Sequence, residues 1–235
     1  MINDVIIDEF GAEYSADKKR LIKIPAGLSE YEIIEGTEII EEKAFNHSEL
    51  ELLYIPKSVT NIKIQNDLRR PDIAKIVVDK NNTVYDSRNN CNAIIKTKTN
   101  TLIYGCKTTV IPSSVITIGA YAFYYCSKLA SIVIPDSIVN IESFAFEGCD
   151  ELTTLVLPDS VVSIGQEAFA RCEKLNCVVM PNGLKEVGTW MEDEEIYDIF
   201  YDCEELKTIY IPKGTLQNYL KVIPNHDEAF KYKED

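Results

Sequence analysis

The chain has 235 residues, 46% of them hydrophobic and 26% charged, and its 24 basic against 38 acidic residues leave a net charge of -14. That composition is globular, and the acidity disfavours nucleic acid or an anionic membrane surface as partner, because the densest basic run, Lys18-Lys19-Arg20, is short and sits among carboxylates. No stretch approaches the roughly 18 to 20 uninterrupted apolar residues of a membrane-spanning helix, and Met1-Ile2-Asn3-Asp4 lacks the cationic start of a signal peptide, so the sequence reads as a soluble chain, cytoplasmic or stripped of its leader.

Along the chain, Ile33, Ile55, Val78, Ile111, Ile134, Leu157, Met180 and Ile211 open successive units at intervals of 22, 23, 33, 23, 23, 23 and 31 residues. Eight coils are predicted, two of them carrying insertions. Six of the nine prolines (Pro56, Pro112, Pro135, Pro158, Pro181, Pro212) directly follow the opening residue. Proline has no N–H, so it ends strand pairing there. Upstream of each opener the pattern is apolar-x-x-apolar-x-apolar, as in Leu152, Leu155 and Leu157, which predicts a short strand with alternate residues buried. Downstream, Ile118-Gly119 and Ile164-Gly165 predict a bend. Ala122-Phe123, Ala145-Phe146 and Ala168-Phe169 predict a large anchor on a tight helical turn. A single coil cannot bury enough apolar surface to offset the entropy of ordering its backbone, so the units must stack as a solenoid.

The unit IPxSVxxIGxxAFxxCxxL resembles the BspA-type leucine-rich repeat of bacterial surface proteins, from about Ile33 to Ile211. The resemblance implies a leucine-rich-repeat solenoid: a right-handed, curved superhelix with a parallel sheet on the concave face, short helical or 3-10 turns on the convex face, and β-hairpin insertions. Residues 81–112 resemble a hairpin island of the family, and Tyr14–Ile33 a degenerate copy of it in which Leu21-Ile22 corresponds to Leu102-Ile103. Ile209–Leu220 resembles the C-terminal cap, in which a short helix covers the last coil. The expected organisation is a single domain over 1–235: a hairpin cap at 1–32, eight coils at 33–211 with insertions near 81–107 and 189–199, and a cap at 212–235. Two departures stand out. The coil from Ile55 lacks Ala-Phe and Cys, and the coil from Met180 carries an acidic insertion, Gly188–Phe200.

Cys126, Cys149 and Cys172 recur at 23 residues and Cys203 follows after 31. They predict a ladder of small buried side chains rather than disulfides or a zinc site, because the equivalent position near His47-Ser48 is not a thiol and there is no CxxC. Cys177 stands where Ser131, Thr154 and Thr208 occur and is expected to face outward. With the sheet concave, the outward row is Tyr54, Val110, Val133, Val156, Val179 and Tyr210, flanked by Glu51, Ala130, Thr153, Asn176 and Lys207: a shallow, small and apolar strip ended by tyrosines. The second candidate is the insertion near 189–202. There the chain's one tryptophan, Trp190, lies beside Met191 and Glu192–Glu195, with Tyr197 and Tyr201 following. Its carboxylates lack the spacing and glycine turn of a calcium loop.

No GxSxG, HExxH, GxGxxG after a strand or GxxxxGK[ST] is present, and the two histidines lie in unrelated parts of the repeat. The sequence therefore reads as a non-enzymatic interaction or adhesion module without catalytic, metal or cofactor site. The family resemblance implies a protein partner on a host or bacterial surface, with a glycan second, and display at the cell surface or secretion. A structural spacer within a larger surface protein is the alternative, and a monomer is expected.

Overall fold

A computed structural model of the chain describes residues 5–46, 48–63, 73–192 and 195–233, without the side chains of Glu192 and Glu195. Each coil has three sides, and the repeat dictates each. The first is the strand face, in which Thr154–Val156, Cys177–Val179 and Thr208–Ile211 pair in parallel, Val156 beside Val179 beside Tyr210. Leu155, Val178 and Ile209 point inward and are buried. After the proline turn comes a second parallel ladder of two-residue strands, Thr117–Ile118, Asn140–Ile141, Ser163–Ile164 and Glu186–Val187, with one buried isoleucine in each of the first three. Glycine is required at the bend that follows, because a Cβ on Gly165 or Gly188 would lie 2.3 Å from the backbone nitrogen of Ser143 or Gln166 in the preceding coil.

The third side carries Ala-Phe, and it differs from the sequence expectation: its corners are hydrogen-bonded turns, not helical or 3-10 segments. Phe123, Tyr125, Phe146, Gly148, Phe169 and Arg171 donate their N–H groups to carbonyls of the next coil at 2.7–3.0 Å. The residues between them close local turns, Ala122 N–H to Gly119, Tyr124 N–H to Tyr121 and Cys126 N–H to Phe123. A helix would direct every N–H back along its own coil. Here alternate N–H groups cross to the neighbour, and the backbone accommodates this with left-handed residues four apart, Tyr121 and Tyr125, Phe144 and Gly148, Glu167 and Arg171. The Ala-Phe side is thus a third inter-coil ladder that satisfies its donors.

Behind that ladder the phenylalanine rings stack. Phe123 and Phe146 are 4.7 Å apart and 4° from parallel, Phe146 and Phe169 5.4 Å and 14°, Phe169 and Phe200 5.8 Å and 25°. Ile199-Phe200 takes the Ala-Phe place, so the insertion leaves the column in register. The column ends on Gly105, where a Cβ would meet the Phe123 ring at 2.1 Å. The predicted thiol ladder is buried, and it does more than fill slots: Cys149, Cys172 and Cys203 donate to the carbonyl oxygens of Phe123, Phe146 and Phe169 at 3.3, 3.2 and 3.1 Å. The Cys203 thiol and burial together hold the Cys172 thiol well above its ordinary pKa.

The predicted kinship of the two hairpin segments is visible in the backbone. Val5–Ile7, Glu13–Ser15 and Arg20–Lys23 form an antiparallel meander whose last strand continues in parallel onto Ile39–Ile40. Tyr85–Asp86, Ile94–Lys96 and Thr101–Tyr104 repeat this onto Thr117–Ile118. Both carry the same irregularity, Tyr14 opposite Leu21 and Ile95 opposite Leu102. The island divides the interior. Ile95 and Leu102 belong to a core running to the C-terminal cap, whereas Ile94, Ile103 and Tyr104 belong to a second core with the first coils. The α-helix Leu216–Val222 closes the last coil, as expected, and Tyr219 is buried under it. Phe230–Tyr232 then adds an unpredicted strand beside Thr208–Ile211. The Ala-Phe-lacking stretch after Ile55 (64–72), His47, and Asp193-Glu194 of the insertion lie outside the described residues.

Candidate functional site

The strand face carries, in chain order, Glu32, Tyr54, Val77, Val110, Val133, Val156, Val179, Tyr210 and Lys231, with the island between the third and fourth, where Val78 N–H donates to Ser87 Oγ and Val110 N–H to the Cys91 carbonyl. Strand pairing fixes Glu32 beside Tyr54 beside Val77, and Val156 through Lys231. Thr108 Oγ1 donating to the Ala74 carbonyl sets the central coils beside the first group. Of the residues expected on this row, Tyr54, Val110, Val133 and Val156 are exposed, and Val179 and Tyr210 are half-buried next to the C-terminal strand. Exposure is greatest at the centre, 71% for Val110, 83% for Val133 and 61% for Val156.

The physical cause lies in the backbone. Among the described residues no backbone hydrogen bond joins residues 130–134 to a neighbouring coil, and the face divides into a sheet of three strands and one of four on either side of that gap. The other two ladders continue unbroken through the same coils. The strand face therefore lacks inter-coil pairing where its valines are most exposed.

In the flanking row Glu51, Ala130, Thr153 and Lys207 are exposed, while Asn176 is half-buried and donates to the Glu205 carbonyl at 3.2 Å. Charge is mixed at both ends of the face, with Glu30, Glu32, Glu51 and Lys75 exposed on the first strands and Lys207, Lys231 and Glu228 exposed at or beside the last. Sequence reasoning missed Glu32, Val77 and Lys231. Lys231 could not be read because its strand lies outside the repeat. It also missed the apolar tip of the N-terminal meander, where Ile7 and Phe10 are exposed and Phe10 meets Tyr31 edge-on at 6.2 Å.

The insertion forms a β-hairpin, Trp190–Glu192 paired with Glu195–Tyr197. Its aromatic residues are not freely projecting. The Trp190 ring lies 4.8 Å from Tyr197, Tyr197 4.5 Å from Tyr201, and Arg171 caps Tyr201 at 6.0 Å, so the series returns to the Ala-Phe side. This places Trp190 and Tyr197 on a different side of the molecule from the valine strip, and the two sets of candidates form two surfaces. At the hairpin base, buried Asp198 accepts from the Phe200 N–H at 2.8 Å and lies 3.7 Å from His226 Nε2 of the cap. Burial raises the Asp198 carboxyl above its ordinary pKa, against the opposing pull of His226.

Cys177 is half-buried on the strand face and, like the other six cysteines, is unbridged. Among the described residues no group of three or more His, Cys, Asp or Glu side chains is placed to hold a metal ion, and no helix is long and apolar enough to cross a membrane.

A family model for the BspA type leucine rich repeat region matches in six copies, over residues 26–101 and 94–220. Among solved structures, a leucine-rich repeat protein from Eubacterium ventriosum is similar at 25% identity and a TM-score of 0.59, covering 78% of this chain and 54% of its own, so the chain spans about half that protein's length. A leucine-rich repeat protein from Bacteroides ovatus is 22% identical with a TM-score of 0.47, covering 92% of this chain and 54% of its own. The pneumococcal vaccine antigen PcpA is 18% identical with a TM-score of 0.49, covering 88% of this chain and 68% of its own. Comparison with curated proteins finds no match.

Proposed function

The chain belongs to the BspA-type leucine-rich repeat family, and we propose that within it this protein is a non-enzymatic protein-binding module that works at the bacterial cell surface through its strand face. One observation carries the proposal: the exposed valines of the central coils coincide with the gap in sheet hydrogen bonding. An apolar strip with free backbone donors and acceptors beside it suits a protein surface or an extended peptide. Surface display and the right-handed superhelical path are taken from the family. Residues 1–235 would act as one domain, since the island contributes side chains to both cores.

The test is capture from host mucus and matrix proteins by immobilised protein. Val133→Asp with Val156→Asp is expected to cut retention of the captured partner at least tenfold, and Trp190→Ala to leave it unchanged. Loss with Trp190→Ala alone would move the site to the hairpin. The spacer function has its own support, the reuse of one meander as end cap and internal divider.

A further inference from the structure

We infer that the free edge of the first strand of the face, Glu30–Glu32, takes an extended segment of another protein as an added strand, and that this segment is basic, with lysine or arginine side chains beside Glu30 and Glu32. The site lies at one end of the face and does not depend on the central valines, so it goes beyond the role proposed for the apolar strip.

The register supplies the first ground. Glu30–Glu32 pairs with Leu52–Ile55 alone and stands at the end of its sheet. The Ile33 N–H donates to the Tyr54 carbonyl and the Leu52 N–H to the Ser29 carbonyl, so Ser29, Tyr31 and Ile33 face the neighbouring strand. By alternation the backbone groups of Glu30 and Glu32 face away from it, and they make no hydrogen bond among the described residues. The island shows what the same position accepts. Its turn runs over seven residues, 87–93, and the Cys91 carbonyl within it takes the N–H of Val110, the counterpart of Glu32, at 3.1 Å. The turn of the N-terminal copy has five, 8–12, and leaves the Glu32 N–H open. One meander closes this edge with its own chain, and the other presents it to a partner.

The second ground is the cavity beside the edge, of about 440 Å³ and lined by Phe10, Glu30, Tyr31, Glu32 and Tyr54, which is the size of a ligand cleft. The loop that carries Phe10 is fixed. Asp8 Oδ1 accepts the N–H groups of Phe10 and Ala12 at 2.9 and 2.8 Å, and Asp8 Oδ2 accepts from the buried Tyr31 hydroxyl at 2.5 Å. Phe10 and Tyr54 remain exposed, at 58% and 36%. Neither Glu30 nor Glu32 has an ion-pair partner among the described residues, whereas Glu38, Glu41, Glu147 and Glu151 each have one. Lys75, in the row of Glu30, stands two strands away with Leu52 between. Two such carboxylates and two exposed aromatic rings in one cavity suit a cation, and the net charge of -14 attracts a basic segment. The same carboxylates repel an acidic strand, so the edge selects its partner by charge.

Titration of the 15N-labelled full chain with the blocked peptide Ac-Thr-Lys-Val-Lys-Thr-NH2, followed by amide NMR, tests this. Its lysines have the spacing of Glu30 and Glu32 and share one side of a strand. Shifts are expected at Phe10, Tyr31, Glu32 and Tyr54. Ac-Thr-Glu-Val-Glu-Thr-NH2 is expected to bind about tenfold more weakly, and the lysine peptide methylated on its three central backbone nitrogens to lose binding, because an added strand is held by its main chain. The exchange E30K/E32K, at two exposed sites, should invert the preference between the two peptides. Phe10→Ala should weaken binding several-fold at an unchanged melting temperature. No shift at these residues at about 10 mM peptide, equal binding of the methylated peptide, or no inversion by E30K/E32K would overturn the inference. Val133→Asp is expected to leave the titration unchanged. Loss of binding with that variant would place the peptide on the central gap, which refutes the edge site and leaves the strand face as the binding surface.

Discussion

The side chain that most changes in meaning between sequence and structure is the ladder cysteine. Its 23-residue spacing and its burial were legible from the repeat, but its bond to the preceding phenylalanine carbonyl was not, because that bond depends on how far one coil is rotated over the next. The consequence is testable by labelling. Native protein treated with a bulky maleimide should modify half-buried Cys177 and spare Cys149, Cys172 and Cys203, whose sulfurs are buried and hydrogen-bonded. Rapid modification of all four would remove the ladder. Gly105 was invisible to sequence reasoning for a similar reason, since it falls outside the repeat register. It has no left-handed backbone to signal a special role, and only the Phe123 ring at 2.1 Å from its virtual Cβ reveals one. Gly105→Ala should destabilise the fold by about 1–3 kcal/mol through overpacking, read by urea unfolding, whereas Gly27→Ala meets no atom within 4 Å and tests only the cost of its left-handed backbone.

Among the elements, the Ala-Phe corner shows why a correct repeat can yield an incorrect local structure. The Ala-Phe pair was read as part of a tight helical turn, yet the corner must also bond to coils on both sides, and alternate N–H groups leave the coil to do so. The strands, by contrast, were readable because their two-residue periodicity is enforced by burial on one side only. The insertion lies between these cases. Its excess length announced a protrusion, while its hairpin pairing and the turn of Trp190 toward Tyr197 came from tertiary contacts. The base of the hairpin gives a pH prediction. Burial lifts Asp198 above its ordinary 3.8, so between that value and its folded pKa the native state holds a proton that the unfolded chain has released. This group alone therefore makes the fold less stable as pH rises through that window. Asp198→Asn keeps an acceptor for the Phe200 N–H and removes the buried charge. Thermal melts should show the variant gaining on wild type as pH rises from below 3.8 toward neutrality. A gap that closes or reverses would mean that the pair with His226 outweighs the cost of burial.

At the scale of the whole molecule, the charge of -14 first excluded partners and now has a distribution: charged residues of both signs stand at the two ends of the strand face, with valines between. The valine row was readable from the repeat. Its charged termini were not, because Glu32 and Lys231 belong to the cap segments, where the repeat pattern gives no register. Nor did the sequence disclose two cores separated by the island, since consecutive residues of one strand, Ile94 and Ile95, serve different interiors. What unites these features is a division of labour among the three sides of the coil. The ladder of short strands and the Ala-Phe ladder hold the central coils together, whereas the strand face lacks pairing there, as the proposed recognition role requires. Removing part of the Phe column should therefore weaken the stack without redrawing the face, and Phe146→Ala is expected to cost about 3–5 kcal/mol while leaving Val133 exposed. Amide hydrogen exchange of the isolated protein, at a concentration where it is monomeric, tests the division most directly. The N–H groups of Phe123, Phe146 and Phe169 on the Ala-Phe side, and of Gly119, Glu142 and Gly165 at the bends, should approach global protection, whereas those of Ile132, Val133 and Ile134 should exchange orders of magnitude faster. Equal protection on all three sides of these coils would contradict the account, for the strand face would then be a closed structural sheet rather than one open at its centre.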